Sequence, residues 1–380
     1  MRRGFLIMLG LLGLLHVYIG LRLLPPLSIG VIGQVVGALL LLVSWLLIPM
    51  GLTARSRHTN GNGAGGLVWT ALIAMGLFSS LLVFTLLRDV VLLIAAVFTS
   101  VLASGRVQEV SAWIVVAAAV FATLIGFINA RRVARVVHVD VPIPNLPAAL
   151  HGFSIAQISD IHVGPTIRRN YVAGIVAAVN RLEADAIAIT GDLVDGSVRE
   201  LASQVEPLAQ LRARYGTFFV TGNHEYYSGE RAWTRELRRL GMRVLMNEHV
   251  VVDHNDARLV LAGVTDFSAH QFDPVHRSDP LAALADAPED AGAKILLAHQ
   301  PRSAPQAAAA GFDLQLSGHT HGGQFWPWNF FVRFQQPFTA GLDRLGSLWV
   351  YTSRGTGYWG PPKRFGAPSE ITLIRLVARN

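Results

Sequence analysis

The first 130 residues contain four apolar runs of about 20 residues each, and these runs limit the possible folds more than any other feature. They are nearly free of charge: Gly4–Leu24, Ser28–Met50, Gly66–Leu87 and Ala112–Ala130. A helix of roughly 20 residues can cross a bilayer hydrocarbon core about 30 Å thick. Four such runs predict an N-terminal α-helical transmembrane bundle in residues 1–130 rather than the core of a soluble domain.

A fifth apolar run, Val90–Ala103, leaves the number of spans open between four and five. It is shorter than the others, follows Arg88 and Asp89, and is bounded by Arg106 and Glu109. Its length fits a short span, a re-entrant segment or an interfacial helix, and we favour the interfacial helix.

Basic residues flank the apolar runs and predict an orientation. Three clusters matter: Arg2 with Arg3, Arg55 with Arg57, and Arg131 with Arg132 and Arg135. Four spans would place all three on the cytoplasmic side, where loop arginines concentrate, whereas five would place the last cluster outside. We therefore expect a multi-pass protein of the cell membrane with a cytoplasmic second half, which would be extracytoplasmic if five spans form.

The composition agrees with a membrane protein and limits its chemistry. Charged residues make up 15% of the chain, against about 25% in soluble domains. There is no cysteine, so disulfides and thiolate metal sites are excluded. The net charge of +7 suits anionic membranes or phosphate-bearing substrates. We find no nucleic-acid-binding module, and the four runs carry almost none of the ionisable residues that a transporter would need.

After the bundle, residues 131–150 contain three prolines and are interpreted as a linker. From residue 151 to residue 380, short apolar runs alternate with helix-like stretches. This alternation predicts an α/β domain of about 230 residues, which is large enough to bury a sizeable core.

Polar side chains follow five of the predicted strands. In chain order the motifs are Asp160-Ile161-His162, Gly191-Asp192, Gly222-Asn223-His224-Glu225, His299-Gln300 and Gly318-His319-Thr320-His321. Ligand sites in open α/β sheets gather outside the carboxyl ends of the strands. We therefore expect these side chains to converge although they span some 160 positions.

The residue types in these motifs predict a metal centre. A mixed set of nitrogen and oxygen donors without a thiolate suits Mn²⁺, Fe²⁺ or Zn²⁺ better than Ca²⁺ or Mg²⁺. Two carboxylates and four imidazoles exceed what one tetrahedral ion usually takes, whereas two ions sharing a carboxylate would use them all. His319 and His321, two apart on a segment expected to be extended, would point the same way, and each could bind a neighbouring ion.

The five motifs, in this order, resemble those of calcineurin-like metallophosphoesterases. Two later stretches, GHTHGGQ (318–324) and TSRGTGYWGPPKRFGAPSEI (352–371), are similar to a membrane-associated, YkuE-like branch of that family. The resemblance covers roughly residues 150–376. It implies an α/β four-layer sandwich, with two mixed sheets flanked by helices. It also implies two divalent ions and a hydroxide between them that attacks phosphorus.

The resemblance further implies a role for each motif residue. Asp160, His162 and His321 would hold one ion, and Asn223, His299 and His319 the other. Asp192 would bridge the two ions. His224 would stabilise the phosphoryl oxygens or protonate the leaving group.

Other polar residues keep two interpretations. Glu225 is expected to orient its neighbours rather than bind metal. Asp195 is expected to cap a turn, with the orientation of a metal ligand as the alternative. Arg354 could bind the substrate phosphate because a guanidinium matches its oxygens, and His270 could also approach the substrate; both are otherwise ordinary loop residues. Asp266 has the same two interpretations as His270, and a position in a surface loop is favoured.

Two further stretches after the motifs remain ambiguous. Lys363 and Arg364 would touch lipid head groups or form a solvated pair. An aromatic cluster either packs over the site or forms a membrane-dipping or acyl-binding edge; it consists of Trp326, Trp328, Phe330, Phe331 and Phe334.

These observations favour a membrane-anchored, dinuclear-metal phosphoesterase. Its substrate would be a phosphate monoester or diester, such as a lipid- or UDP-linked precursor at the bilayer. The alternative is a membrane sensor or scaffold whose metal site is catalytically weak.

Overall fold

The computed structural model describes residues 2–57, 62–98 and 104–378. The chain divides into two compact units. The helical unit comprises the residues up to Ile128 together with Gly360–Phe365, and the sandwich unit comprises Asn129–Trp359 with the residues from Gly366 onward.

The helical unit is built from α1 (Arg2–Leu23), α2 (Gly30–Arg57), α3 (Asn62–Phe98) and α4 (Gly105–Arg131). Among the described residues, four helical segments have the length and hydropathy needed to cross a membrane. Most of their large apolar side chains are exposed, as expected for helices surrounded by lipid. The predicted bundle of four apolar helices is therefore confirmed.

The third helix is longer than the sequence suggested. It continues through Arg88 and Asp89 to Phe98, so residues 90–98 are not a separate interfacial helix. Charges within an apolar helix need partners, and here the neighbouring helices supply them. Residues 99–103 of the predicted fifth run lie outside the described residues.

The partners of these charges form a polar cluster, here called the Arg88 cluster. Arg88 donates from Nε to Ser111 Oγ at 2.8 Å and from Nη2 to Gln108 Oε1 at 2.7 Å. Asp89 accepts from Arg22 Nε and from the Tyr18 hydroxyl, each at 2.7 Å. Each charge in the cluster thus meets an opposite charge or a polar partner. Its members are Tyr18, Arg22, Arg88, Asp89, Gln108 and Ser111.

A distant segment, Gly360–Phe365, belongs to the helical unit. Lys363 Nζ donates to the Gly76 carbonyl at 3.0 Å and to Ser80 Oγ, and Arg364 N donates to the Gly126 carbonyl at 2.8 Å. A Cβ on Gly126 would lie 2.6 Å from Lys363 Cγ, so glycine makes room for this side chain. Lys363 and Arg364 are both buried, which differs from the surface positions expected for them.

The described part of the sandwich unit contains two six-stranded mixed sheets. The first has the order β1-β12-β2-β3-β4-β5 and the second β10-β11-β9-β8-β7-β6. The strands of the first are β1 (Arg135–Ile143), β2 (Ser154–Ile158), β3 (Ala186–Ile189), β4 (Thr217–Phe219), β5 (Arg243–Val244) and β12 (Glu370–Ala378). The strands of the second are β6 (Glu248–His254), β7 (Ala257–Gly263), β8 (Ala293–Leu297), β9 (Leu314–Ser317), β10 (Gly341–Leu345) and β11 (Leu348–Thr352).

Helices cover the outer faces of the two sheets. Ile155 and Ile295 belong to a core between the sheets, whereas the neighbouring Ala156 and Leu296 belong to outer cores. Alternate strand residues point to opposite faces, so β2 and β8 are buried on both sides and read as continuous apolar runs. The predicted four-layer sandwich is thus confirmed. Its helices are α5 (Arg169–Asn180), α6 (Val198–Val205), α7 (Asn223–Ser228), α8 (Glu230–Arg239) and α9 (Ala304–Ala310).

Residues 131–150, which the sequence suggested as a linker, contain strand β1. This strand pairs in parallel with β12 over nine residues. Its alternating apolar residues are a strand pattern. Pro142 lies near the end of this strand, which is at an edge of the sheet, and edge strands tolerate proline.

Candidate metal centre

The turns after β2, β3, β4, β8 and β9 bring the predicted ligands to one end of the two sheets. Three groups of side chains each have potential ligand atoms within 4.8 Å of one another. The groups are Asp160, His162 and His321; Asp192, His299 and His319; and His162, Asp192 and His224. The third group shares residues with both others, so all of these side chains form one continuous cluster.

The first group joins the turn after β2 to the turn after β9. His162 Nε2 and His321 Nε2 face each other 3.0 Å apart, and His321 Nε2 lies 3.5 Å from Asp160 Oδ1. The Asp160 side chain is fully buried and accepts from the His319 backbone N–H at 3.0 Å. Two ring nitrogens and one carboxylate oxygen therefore converge as potential metal ligands.

The second group joins the turns after β3, β8 and β9. His299 Nε2 lies 3.1 Å from Asp192 Oδ2 and 3.1 Å from His319 Nδ1. Asp192 Oδ2 also lies 3.9 Å from His162 Nε2. Asp192 thus stands between the two groups, where a bridging ligand would be needed.

His319 and His321 serve different groups, but not by the geometry that the sequence suggested. The chain leaves β9 at Ser317, and His321 begins a short 3₁₀ turn. The segment is therefore not extended. Both histidines have positive φ, 70° and 52°, and this turning backbone directs one ring toward His299 and the other toward His162.

Positive φ is common throughout the centre. Asp160, His162 and Asp192 have φ of 53°, 55° and 51°, a region that residues other than glycine rarely adopt. Such strain persists where the surrounding structure holds it, and it is concentrated at functional sites. A Cβ on Gly318 would lie 2.2 Å from Asp160 Oδ2, so this glycine leaves room for the carboxylate.

Hydrogen bonds on the outer side of the rings fix their orientation. His299 Nδ1 lies 2.7 Å from the Thr190 carbonyl, and His162 Nδ1 lies 3.1 Å from Asp195 Oδ1. Each carbonyl or carboxylate accepts from Nδ1, which leaves Nε2 with a lone pair directed into the cluster. Rings held in this way are suited to ligate a cation.

Asp195 has a larger role than the sequence suggested. Its Oδ1 accepts from His224 Nδ1 at 2.6 Å and also from His162 Nδ1. One carboxylate therefore orients both a ligand candidate and the predicted catalytic histidine. The available signal was its spacing, three residues after Asp192 in Gly-Asp-Leu-Val-Asp. For this residue we favoured a turn and kept the orientation of a ligand as the alternative.

Asn223 and Glu225 behave differently although they share one motif. Asn223 Oδ1 is buried without a hydrogen-bond partner, which is unusual for a polar atom and indicates a missing ligand. Glu225 accepts from the backbone N–H groups of Asp192, Leu193 and Gly222. It holds the Asp192 turn in place, in agreement with the orienting role expected for it.

The ionisation of the cluster is dominated by burial and by close charges. Burial opposes ionisation of Asp192, but His299 outweighs it and holds the pKa of Asp192 well below the usual range. Conversely, burial disfavours a charged His299, but Asp192 raises its pKa well above normal. Nε2 of His299 would have to release this proton before its lone pair could bind a cation. Burial and the neighbouring His299 lower the pKa of His319 to about 3, so its ring is neutral and can donate a lone pair.

His224 is shifted in the opposite direction. Burial disfavours its charged form, but the charges of Asp192 and Asp195 outweigh burial and raise its pKa to about 9. Its ring also lies between two exposed aromatic side chains, with centroids 5.2 Å from Tyr227 and 5.9 Å from Trp359. Neither of these two neighbours was predicted from the sequence, because no local pattern links them to His224.

The donor set fits divalent cations. Ring nitrogens facing each other at 3.0 and 3.1 Å match donors around one cation with bond lengths of about 2.1 Å. The carbonyl oxygen of Asn223 is buried and unpaired, and the described cluster contains no lysine or arginine to neutralise Asp160 and Asp192. Nitrogen and oxygen donors without a thiolate are compatible with Mn²⁺, Fe²⁺ or Zn²⁺.

The remaining candidates differ in their relation to this centre. Arg354 donates from Nη1 to Glu370 at 3.0 Å and packs beside Gly322, one residue after His321. His270 is exposed and its Nδ1 lies 3.2 Å from the Phe267 carbonyl; among described residues it has no hydrogen bond to the cluster. Asp266, expected at the surface, is fully buried and accepts from Gln300 Nε2.

Comparison with known proteins gives one family match and several relatives. A family profile described as calcineurin-like phosphoesterase matches residues 153–323. A transmembrane protein with metallophosphoesterase domain from Danio rerio is 38% identical over 72% of this chain and 64% of its own length. An uncharacterized metallophosphoesterase of Aquifex aeolicus is 34% identical over 59% and 85%.

The metallophosphoesterase YkuE of Bacillus subtilis is 28% identical over 62% of this chain and 82% of its own. The resemblance that the motifs suggested is thereby confirmed. The chain spans less than two thirds of the length of the transmembrane relative from Danio rerio.

Proposed function

This chain belongs to the calcineurin-like phosphoesterase family, and from that premise we propose that it is a membrane-anchored enzyme that hydrolyses a phosphate ester with two divalent ions. Asp160, His162 and His321 would hold one ion. Asn223, His299 and His319 would hold the other, and Asp192 would bridge them. The observation that carries this proposal is the cluster of facing donor atoms, together with the unpaired Asn223 Oδ1.

The ions, when bound, would supply an activated water and neutralise charge on the phosphate. The residues of the chain would then position the substrate and move the proton. Asp195 holds His224 by Nδ1, which leaves Nε2 to donate a proton to the leaving oxygen or a hydrogen bond to a phosphoryl oxygen. A protonated His224 suits both roles.

Two further residues are proposed to contact the substrate. Arg354 lies beside the His321 turn with its guanidinium oriented by Glu370, so it could bind a phosphoryl oxygen. His270 is the weaker candidate because its contact is with a backbone carbonyl outside the cluster.

The membrane anchor supports a substrate at the bilayer surface. We propose a lipid- or UDP-linked phosphate ester, acted on from the cytoplasmic side, because with four spans the positive-inside rule would assign the basic clusters and the residues after them to that side. A reporter fused after residue 378 tests this orientation: activity of an externally folding reporter would contradict it.

Hydrolysis of bis-p-nitrophenyl phosphate with Mn²⁺ tests the proposed activity in the full chain. The wild type should turn over, and metal analysis should give two ions per chain. Equal, near-zero rates for the wild type and for Asp192→Asn, across monoester and diester substrates, would favour a sensor or scaffold. The metal count separates a weak dinuclear site from none.

A further inference from the structure

The segment Trp328–Phe334, here called the aromatic segment, exposes several large apolar rings. Phe330, Phe331 and Phe334 are 55%, 53% and 74% exposed. The rings are neighbours, with centroids 5.9 Å apart for Trp328 and Phe331 and 6.3 Å apart for Phe331 and Phe334. Single exposed apolar residues are ordinary, whereas a contiguous group indicates an interaction surface.

The aromatic segment is fixed to the turn that carries the metal ligands. Gly323, two residues after His321, is packed so closely on the segment that a Cβ there would lie 2.2 Å from Asn329 Cα. The chain after the aromatic segment is held as well, because Thr320 Oγ1 donates to the Thr339 carbonyl. Whatever binds the aromatic segment is therefore held close to the metal centre.

A second contact extends this surface to the predicted catalytic histidine. Gln324 donates from Nε2 to the Trp359 carbonyl at 2.9 Å and accepts from the Trp359 N–H at 2.8 Å. Trp359 is itself exposed and lies against His224. Aromatic side chains thus extend from the ligand turn to the rim beside His224.

The charge of the segment favours a lipid surface over a soluble acidic or basic partner. Residues 320–342 contain no Asp or Glu and one basic residue, Arg333. Arg333 is exposed, and its guanidinium lies 5.4 Å from the Phe334 ring. Aromatic rings with a neighbouring arginine and no acidic residue are typical of protein at a membrane–water interface, where the head groups of the cytoplasmic leaflet are negative.

We propose that the aromatic segment rests in the head-group region of the bilayer that the four helices span. The rings would enter the boundary between head groups and acyl chains, and Arg333 would remain among the phosphates. The bilayer is the occupant favoured here because the same chain carries four helices that are long and apolar enough to cross a membrane. This inference does not depend on catalysis and would hold if the metal centre had another role.

The absence of cysteine permits a direct test in the full chain. Phe331→Cys and Phe334→Cys each provide a single labelling site, and both positions are exposed, so little packing is lost. Each variant is labelled with an environment-sensitive fluorophore and placed in nanodiscs of phosphatidylcholine and phosphatidylglycerol, with or without nitroxide-labelled lipid. Asp253→Cys is the control, since it is exposed near the β6–β7 hairpin, at the opposite end of the sheet from the metal centre.

Lipid nitroxide should quench the probes at 331 and 334 at least threefold more than the probe at 253. Equal quenching at the three positions would overturn the proposal, because the contact would not be specific to the segment. A blue-shifted probe that lipid nitroxide does not quench would also overturn it, and would indicate a second copy of the chain or another protein on this surface.

Discussion

Two groups of charged side chains in this molecule differ in what neutralises them. In the Arg88 cluster, Asp89 accepts from Arg22 and Tyr18, and Arg88 donates to Gln108 and Ser111. In the metal centre, by contrast, ring nitrogens face ring nitrogens and two carboxylates share one pocket. A network whose polar groups satisfy one another stabilises the fold, whereas a cluster of facing nitrogen and oxygen atoms with an unpaired buried oxygen is a candidate cation site.

Removing the bridging charge should have the largest effect. Asp192→Asn is expected to reduce kcat by about 10³-fold or more, since one ligand would bind both ions and stabilise the transition state through them. Steady-state hydrolysis of bis-p-nitrophenyl phosphate and metal analysis measure the loss. The matched control, Asp253→Asn at an exposed position, should keep the wild-type rate. A fully active Asp192→Asn would remove the basis of the comparison.

Metal removal should affect one cluster and spare the other. Chelation is expected to cost the sandwich unit about 3–4 kcal/mol, the stabilisation provided by a ligand present at several hundred times its Kd. Hydrogen exchange followed by mass spectrometry should rise in peptides covering 190–195 and 317–324, and Mn²⁺ should reverse it. Peptides covering 84–92 should not change. A uniform increase along the chain would mean that the centre is not a local metal site.

Breaking the Arg88 cluster should produce the opposite pattern. Arg88→Met leaves Gln108 and Ser111 without their donor, and the loss from such a buried network is about 3 kcal/mol. Unfolding in mixed micelles would measure it, with the exposed Arg106→Met as control. Hydrolysis of a soluble substrate should change less than about twofold. A large catalytic defect with unchanged stability would assign the cluster a functional role.

The smallest expected effect separates orientation from ligation. Asp195→Asn should lower kcat by about 10-fold to 100-fold, as for residues that orient metal ligands. His224 should also lose its proton at lower pH, because one of the three carboxylates that raise its pKa is gone. The alkaline limb of kcat/KM should therefore move down by about one pH unit. A lower rate with an unshifted limb would limit Asp195 to a structural role.

The sequence predicted that these polar side chains would come together, because each of them follows an apolar strand in a fixed motif. It predicted less where a residue's role depends on a distant partner. For Asp195 we favoured a turn residue, because no nearby sequence pattern shows that His162 and His224 both donate to its carboxylate. Likewise, the sequence predicted a separate helix from Val90 because Arg88 and Asp89 interrupt the apolar run. The side chain that satisfies Arg88, Gln108, lies on another helix and is not apparent from the local sequence.

The segment Gly360–Phe365 carries a consequence for the modularity of this protein. Since these six residues group with the helices while the chain on both sides groups with the sheets, no single cut separates the two units. A soluble fragment beginning at residue 129 would lack the Gly76 carbonyl and the Ser80 hydroxyl, which accept hydrogen bonds from Lys363 Nζ. Transferring the sandwich unit alone to another protein would therefore leave Gly360–Phe365 without its helical partners. A chimera would need helices that provide equivalent hydrogen-bond acceptors for this segment.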